Sequence, residues 1–292
     1  MERRPYHTAA FDTARWNGFT HRPGDIFVCT PPKCGTTWMQ AIVASLLWPD
    51  GDPPGPILTI SPWIEGKLIP VDTMHAMLTA QTHRRFMKSH TPADGIPWFE
   101  TAHYIFVARD GRDAFMSLCN HLEHFRDEVR DFLNSQAPEG VEPLPRWDGD
   151  VHAFFARWLT DDDILFRHVV TFWDAARQPN VLLVHYNDLK ADLEREMRRV
   201  AKFLGVQVPT DRWLAVVERC TFETMRANGE KLGELDVIFE GGVKSFVFKG
   251  TNGRWRDVLT ADELAAYRQR VAETLPPDAA SWLEHGWRAM AA

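Results

Sequence analysis

Short apolar runs alternate along the chain with stretches in which apolar residues recur at helical spacing. Four runs rich in β-branched and aromatic residues predict buried strands, at residues 25–30, 85–89, 104–108 and 181–185. Strands that alternate with helices favour a mostly parallel sheet covered on both faces. The pattern therefore predicts an α/β fold, with a central, mostly parallel sheet flanked by helices, in a single domain over residues 1–292.

Helical spacing follows the first and the fourth of these runs. Apolar residues recur at intervals of three, four and seven over 39–47, and again over 189–203. Asn187 or Asp188 is expected to cap the second of these helices, and Gly205 to end it. In a sheet of this kind ligands bind beyond the carboxyl ends of the strands, so we expect the chemistry to lie just after each run.

The composition is that of a globular protein, because 45% of the 292 residues are hydrophobic and 25% are charged. The formal net charge of −7 argues against a broad surface for nucleic acid. Positive charge is nevertheless concentrated in residues 244–256, which contain Lys244, Lys249, Arg254 and Arg256 and no acidic residue. An acidic exterior is therefore compatible with one basic cleft that binds a small anionic ligand.

The chain has four cysteines, Cys29, Cys34, Cys119 and Cys220, which lie far apart and form no CxxC pair. This spacing argues against a disulfide framework and against a cysteine zinc site. The first ten residues lack the apolar stretch of a signal peptide, and the longest apolar segment, 41–48, is too short to span a bilayer. We therefore expect a cytoplasmic protein without a transmembrane segment.

The sequence PPKCGTTW, residues 31–38, connects the first predicted strand to the helix that follows it. Gly35 permits a tight turn, Thr36 and Thr37 bring hydroxyls to the helix N-terminus, and Lys33 adds positive charge. Free backbone N–H groups and the helix dipole make such a turn a binding site for phosphate. The segment is not a Walker A loop, in which the lysine follows the glycine. A simple βα turn capped by threonine is the alternative.

Five segments, in order along the chain, resemble motifs of the cytosolic-type sulfotransferases. PPKCGTTW (31–38) is similar to that family's 5′-phosphosulfate loop PKSGTTW, FMKSHTP (86–92) to its KTHxP segment, YIFVARDGRDAFMS (104–117) to its 3′-phosphate segment, VHYNDL (184–189) to FYEDM, and FVFKGTNGRW (246–255) to RKGxxGDW. The likeness covers roughly residues 20–270. Within the family, PILTISPW (56–63) and HRRFMKSHTP (83–92) look most like actinobacterial members described as glycolipid sulfotransferases.

The resemblance implies the donor 3′-phosphoadenosine 5′-phosphosulfate and assigns residues to each of its parts. The 5′-phosphosulfate would be bound by Lys33, Cys34, Gly35, Thr36, Thr37 and Trp38. The 3′-phosphate would be bound by Arg109, Ser117 and the segment Phe248, Lys249 and Gly250. Adenosine would be enclosed by Tyr186, Cys220, Phe222 and Met225. No metal is required if the loop lysine and backbone amides supply the positive charge.

The same resemblance makes His90 the general base and Lys33 the group that neutralises the leaving oxygen. An imidazole with a pKa of about 6.5 can accept a proton from a hydroxyl as the new sulfur–oxygen bond forms. Lys88 lies two residues before His90 on the same face of a strand, so it is expected to contact the acceptor or the transferred group. Trp63 and Trp98 flank the expected acceptor side. A glycolipid-like hydroxyl is the favoured acceptor, and a small phenol or steroid-like alcohol is the alternative.

Several positions depart from the family pattern. Cys34 replaces the loop serine, and Phe248 replaces the arginine of the RKG signature. Arg254 stands where the family often has aspartate and is a candidate to supply the missing charge. The dimer motif KxxxTVxxxE is degraded, with only Arg256 and Thr260 retained, so we expect a monomer or a weak dimer.

Two other functions stay open on the residues alone. A P-loop nucleotide or sugar kinase would need a Walker A loop and a magnesium-binding aspartate, and the lysine before the glycine argues against it. A non-catalytic nucleotide-binding module is the other, and the presence of both His90 and Lys33 argues against it. Cys119, His121 and His124 look like metal ligands, but Cys119 and His121 point to different faces of a helix, so no metal site is expected.

Overall fold

The central sheet of the computed structural model contains β1 (Ile26–Cys29), β2 (Phe86–Ser89), β3 (His103–Ala108) and β4 (Val181–His185). The structure describes residues 3–161 and 164–290. The strands are ordered β2-β1-β3-β4 and every neighbouring pair is parallel. The predicted α/β class with a parallel sheet is therefore confirmed, and each strand bound lies within one residue of its prediction. The extent of the domain, residues 1–292, stays a prediction.

Helices surround the sheet. In chain order they are α1 (Thr36–Leu47), α2 (Ile57–Ile60), α3 (Val71–Ala80), α4 (Gly111–His124), α5 (Asp127–Ser135), α6 (Val151–Asp161), α7 (Ile164–Ala175), α8 (Tyr186–Ala191), α9 (Leu193–Leu204), α10 (Trp213–Glu218), α11 (Phe222–Ala227), α12 (Gly242–Phe246), α13 (Ala261–Thr274), α14 (Pro277–His285) and α15 (Trp287–Met290). Short 3₁₀ helices lie at Thr13–Trp16, Thr210–Arg212, Gly229–Lys231, Leu235–Val237 and Arg254–Asp257. None of the helices in the described ranges is long and apolar enough to cross a membrane.

The two faces of the sheet bury separate hydrophobic clusters. Side chains alternate along a strand, so Phe27 and Cys29 of β1 join the cluster that includes residues of α4, α6, α7 and α14. Ile26 and Val28 join the cluster that includes residues of α1 and α9. All four side chains of β1 are fully buried. Burial on both faces explains why the strands appear in the sequence as continuous apolar runs.

The chain after β4 differs from its prediction. The N-cap of α8 is His185, whose Nδ1 accepts from the Asn187 N–H at 3.1 Å, so the expected cap at Asn187 or Asp188 is wrong. The Asp188 carboxylate instead accepts two backbone N–H groups at the start of α15, at 2.9 and 3.1 Å. A second helix, α9, begins after its own cap, Asp192, and ends at Gly205 as predicted. Local spacing does not predict these caps, because the carboxylate of Asp188 is bound by the backbone of a residue 99 positions further along the chain.

Candidate active site

A cavity of about 720 Å³ lies at the carboxyl ends of the strands. Each strand is followed by a residue that lines it: Lys33 after β1, His90 after β2, Arg109 after β3 and Tyr186 after β4. Parallel strands end at the same edge of the sheet, which is why residues up to 153 positions apart meet here. The edge brings two cationic side chains, an imidazole and a phenol ring around one space.

Most of the residues predicted from the sequence line this cavity. They are Lys33, Gly35, Thr36, Thr37, Trp38, Trp63, Lys88, His90, Arg109, Ser117, Tyr186, Phe222, Met225, Phe248, Lys249 and Gly250. The structure leaves Cys34, Cys220 and Trp98 outside the lining.

Those three side chains have other surroundings. Cys34, within the loop, is fully buried, and burial raises the pKa of its thiol to about 12, so it stays protonated. Cys220 is also fully buried, and its carbonyl accepts from the Trp38 indole at 2.8 Å. Trp98 is 42% exposed, and its indole donates to the Ala93 carbonyl at 2.9 Å. Trp98 does not line this cavity in the ligand-free structure, and its role in acceptor binding stays a prediction.

The loop between β1 and α1 is held in an unusual backbone conformation. Among the described residues, Lys33 alone combines a side chain with positive φ, at 68°, a conformation that costs about 1–2 kcal/mol. Gly35, with φ 105°, caps α1, and a Cβ there would lie 3.0 Å from the Tyr186 ring. The Thr30 and Thr36 hydroxyls hydrogen-bond at 2.5 Å across the turn. The loop therefore directs backbone N–H groups of α1 and the Lys33 side chain toward the cavity, as an anion requires.

Among the residues that the structure describes, no carboxylate pairs with the Lys33 ammonium. Its Nζ lies 3.3 Å from His121 Nδ1 and 4.8 Å from the centre of the Phe246 ring. Loss of water contact, together with the charges of Lys88 and Arg109, lowers the pKa of Lys33 to about 7. A bound anion would reverse this effect and restore the full charge.

The His90 ring is fixed with one nitrogen toward the protein. Its Nδ1 lies 2.7 Å from the Thr30 carbonyl oxygen, which can only accept, so Nδ1 carries the proton and Nε2 keeps its lone pair. The ring packs edge-on against Trp63 at 5.1 Å. Burial, then the nearby Lys88 charge, holds the pKa of His90 well below its usual range. The imidazole is therefore neutral at pH 7 and able to accept a proton.

Lys88 and Trp63 share a wall with His90. The segment containing Trp63 pairs with β2 opposite Lys88, and Lys88 Nζ lies 4.6 Å from the centre of the Trp63 ring. Burial lowers the pKa of Lys88 to about 8, and the buried Glu65 carboxylate opposes that shift. This wall presents a cation and an aromatic surface beside the imidazole.

Arg109 follows β3 directly and is almost fully buried. Its Nη2 donates to the Thr251 carbonyl at 3.1 Å and to Asn252 Oδ1 at 2.7 Å, and the guanidinium stacks 4.3 Å from the centre of the Tyr186 ring. Its Nε is buried and has no hydrogen-bond partner within residues 3–161 and 164–290. An unpaired buried donor costs about 1–3 kcal/mol, and at this cavity the atom can donate to a bound ligand.

Arg254 lines the same part of the cavity as Arg109. Its Nε is likewise buried with no partner in the part of the chain that the structure describes, and its guanidinium lies 5.6 Å from the centre of the Phe248 ring. Burial, then the Arg109 charge, lowers the pKa of Arg254. Gly250, with φ 62°, passes close by, and a Cβ there would lie 2.7 Å from the Phe222 ring. The two guanidinium groups have N–H donors that are free to bind a phosphate. The backbone at Gly250 passes close to the Phe222 ring, so such a phosphate would lie beside an aromatic-lined slot.

Sequence reasoning missed the partners that hold these groups. His121 contacts Lys33, Asn252 accepts from Arg109, and Asp113 accepts from the Gly253 N–H at 2.7 Å. The available signal was the spacing of His121, four residues after Ser117 and therefore on the same helical face. No group of three or more His, Cys, Asp or Glu side chains in residues 3–161 and 164–290 is arranged to hold a metal ion.

Comparison with known proteins identifies the family. The sulfotransferase domain model matches residues 23–276. A glycolipid sulfotransferase of Mycobacterium bovis is 32% identical, over 97% of this chain and 94% of the relative, and sulfotransferase 1C2 of Homo sapiens is 26% identical, over 88% and 86%. The crystal structure of mouse sulfotransferase SULT7A1 complexed with PAP has a TM-score of 0.71 at 20% identity, over 93% of this chain and 92% of that one.

The chain therefore belongs to the sulfotransferase family. The family that the five ordered motifs indicate is confirmed, and so is the predicted enzyme class.

Proposed function

We propose that this sulfotransferase transfers a sulfuryl group from 3′-phosphoadenosine 5′-phosphosulfate to the hydroxyl of an amphipathic acceptor. The main support for this proposal is the cavity, which combines Lys33, a neutral His90 and buried Nε donors of Arg109 and Arg254 that are available to a ligand. The PAP bound in the mouse relative supports the choice of donor.

The donor side requires two anion sites and a place for a purine. Lys33 and the N–H groups at the start of α1 would bind the 5′-phosphosulfate, and Arg109, Ser117, Arg254 and the backbone of 249–250 the 3′-phosphate. The rings of Trp38, Tyr186 and Phe222, with Met225, would enclose the adenine. When bound, the donor supplies the sulfuryl group and a stable bisphosphate leaving group.

The reacting groups need no covalent intermediate. His90 Nε2 accepts the acceptor hydroxyl proton while the acceptor oxygen bonds to sulfur and the bond from sulfur to the bridging oxygen breaks. The Lys33 ammonium donates to that bridging oxygen as it takes up negative charge. Such in-line transfers have loose transition states, so positioning and charge stabilisation supply most of the catalysis.

The acceptor side is largely apolar. Beyond His90 and Trp63 the cavity is lined by Phe11, Leu118, Leu122, Phe125, Leu133, Leu144, Phe154, Ile238 and Phe239. These surfaces would bind the apolar body of an acceptor whose hydroxyl reaches His90. The relative described as a glycolipid sulfotransferase supports a glycolipid-like acceptor over a small phenol, which would leave much of this surface uncovered.

Ligand-induced thermal stabilisation tests the donor assignment. Adenosine 3′,5′-bisphosphate in excess of its Kd is expected to raise Tm without magnesium, because it binds only the folded state. At a concentration of 100 times Kd the linkage amounts to about 2.7 kcal/mol, several degrees in Tm. Stabilisation by Mg-ATP and not by the bisphosphate would contradict the proposal and favour a kinase.

The substitution Arg254→Leu tests the 3′-phosphate site. Loss of a charge-assisted hydrogen bond of about 1.5–3 kcal/mol is expected to weaken adenosine 3′,5′-bisphosphate about 10- to 100-fold in calorimetric titrations. Adenosine 5′-monophosphate, which lacks the 3′-phosphate, should bind both proteins equally. The matched control is Arg256→Leu, which removes an exposed arginine two residues away. If the monophosphate is weakened as much as the bisphosphate, Arg254 does not act on the 3′-phosphate.

A further inference from the structure

His121 lies on α4 beside the tip of Lys33. Its Nδ1 is 3.3 Å from Lys33 Nζ. The imidazole is stacked on Phe125, with ring centres 5.4 Å apart, and meets the Phe239 ring edge-on at 4.8 Å. These two aromatic contacts hold the plane of the His121 ring, and Nδ1 of the ring faces the Lys33 ammonium.

When Lys33 is charged, the hydrogen bond between Lys33 and His121 can have only one donor, which is the ammonium. An ammonium has three donors and no acceptor, so Nδ1 must contribute its lone pair and the His121 proton must sit on Nε2. Burial and the surrounding cationic or titratable groups, Lys33, Lys88 and His90, hold the pKa of His121 well below its usual range. The ring therefore stays neutral and keeps its acceptor, and Lys33 retains two N–H groups for a ligand.

We propose that His121 is a positioning residue for Lys33, holding the ammonium through Nδ1 so that its other protons face the bridging oxygen of the donor. The proposal rests on the role given to Lys33 in the proposed function. The Lys33 backbone, with φ 68°, sends the side chain across the cavity toward α4, where it meets His121 and the Phe246 ring. Without an acceptor at this point the flexible four-carbon stem has several rotamers, and misplacement of a reacting group by about 1 Å can cost about 100-fold in rate.

Two substitutions separate hydrogen bonding from packing. His121→Phe keeps an aromatic ring in the slot but removes the acceptor, whereas His121→Asn keeps an acceptor near the position of Nδ1 and removes the ring. We expect His121→Phe to lower kcat about tenfold with little change in the donor KM, and His121→Asn to retain at least about a third of wild-type kcat. Melting curves of both variants establish that they are folded.

A second readout needs no turnover. Competitive labelling with trace acetic anhydride between pH 5 and 10, read on the Lys33 peptide by mass spectrometry, gives the pKa of Lys33 in the ligand-free protein. A hydrogen bond to the charged form stabilises that form. His121→Phe is therefore expected to lower the labelling midpoint by about one pH unit, and His121→Asn to leave it near that of the wild type.

The outcomes divide cleanly. Wild-type kcat and an unchanged Lys33 midpoint in His121→Phe would overturn the proposal, and so would equal losses in both variants with an unchanged midpoint, which would assign His121 to packing. Lys33→Ala is assayed in parallel. If that variant keeps its activity, the role of Lys33 in the proposed function fails and this proposal fails with it. If it is inactive while His121→Phe is unaffected, only the proposal for His121 fails.

Discussion

Purified His90→Ala is expected to lose about 100- to 10,000-fold in kcat, the usual contribution of a general base. The Thr30 carbonyl holds Nδ1 as the donor, which leaves Nε2 as the basic nitrogen. The alanine substitution removes this basic nitrogen but none of the cationic groups of the cavity. Binding of adenosine 3′,5′-bisphosphate should therefore change by less than about threefold. Initial rates with sulfur-labelled donor and a calorimetric titration measure the two quantities.

His124→Ala provides the matched control for this substitution. His124 lies outside the cavity lining, on α4, with its Nδ1 next to the Asn120 carbonyl at 2.9 Å. The kcat of the His124→Ala variant is expected to stay within about twofold of the wild-type value. Turnover of His90→Ala near the wild-type rate would remove His90 from the mechanism.

The pH profile adds an independent check on His90. Burial and the Lys88 charge lower the pKa of this imidazole, so the protonated, inactive form appears only below the ordinary value of about 6.5. The acid limb of kcat/KM should therefore fall below pH 6.5 in the wild type.

The sheet was predictable because its signal is local. Strands buried on both faces need continuous apolar runs, and the residues that follow parallel strands must meet at one edge, which is how Lys33, His90, Arg109 and Tyr186 come together. The motif resemblance added the residues of the loop after β1 and of segment 246–255. These features depend on order along the chain and on short spacings.

What could not be predicted depends on contacts between distant residues. Asp188 lies inside α8 and not at its N-cap, and its carboxylate accepts from the backbone at the start of α15. Trp98 lies outside the cavity lining, and its indole donates to the Ala93 carbonyl. The pairing of Lys33 with His121 joins residues 88 positions apart, and the spacing of His121 from Ser117 indicates only a shared helical face, not this partner.

Lys33→Ala is expected to lower kcat about 100- to 1000-fold, as removal of a single donor to a developing negative charge does. In the ligand-free enzyme burial and two neighbouring cations lower the pKa of Lys33 to about 7, so the charged fraction falls as pH rises above neutrality. Because the donor anion needs the charged form, kcat/KM for the donor should decline above about pH 7, by up to tenfold per unit.

Lys33→Ala has nothing to titrate at this position, so the decline that begins near pH 7 should vanish, leaving only a later one from Lys88, whose pKa is about 8. The surface variant Lys231→Ala, which removes an exposed lysine paired with Asp52, should keep both the rate and the profile of the wild type. A decline that begins at the same pH in Lys33→Ala as in the wild type would assign the alkaline limb to another group. In the proposed mechanism the lost charge acts on the leaving oxygen, so an acceptor with a more acidic hydroxyl should not restore the rate, whereas it should partly rescue His90→Ala. Opposite responses to the acidity of the acceptor therefore separate the two roles.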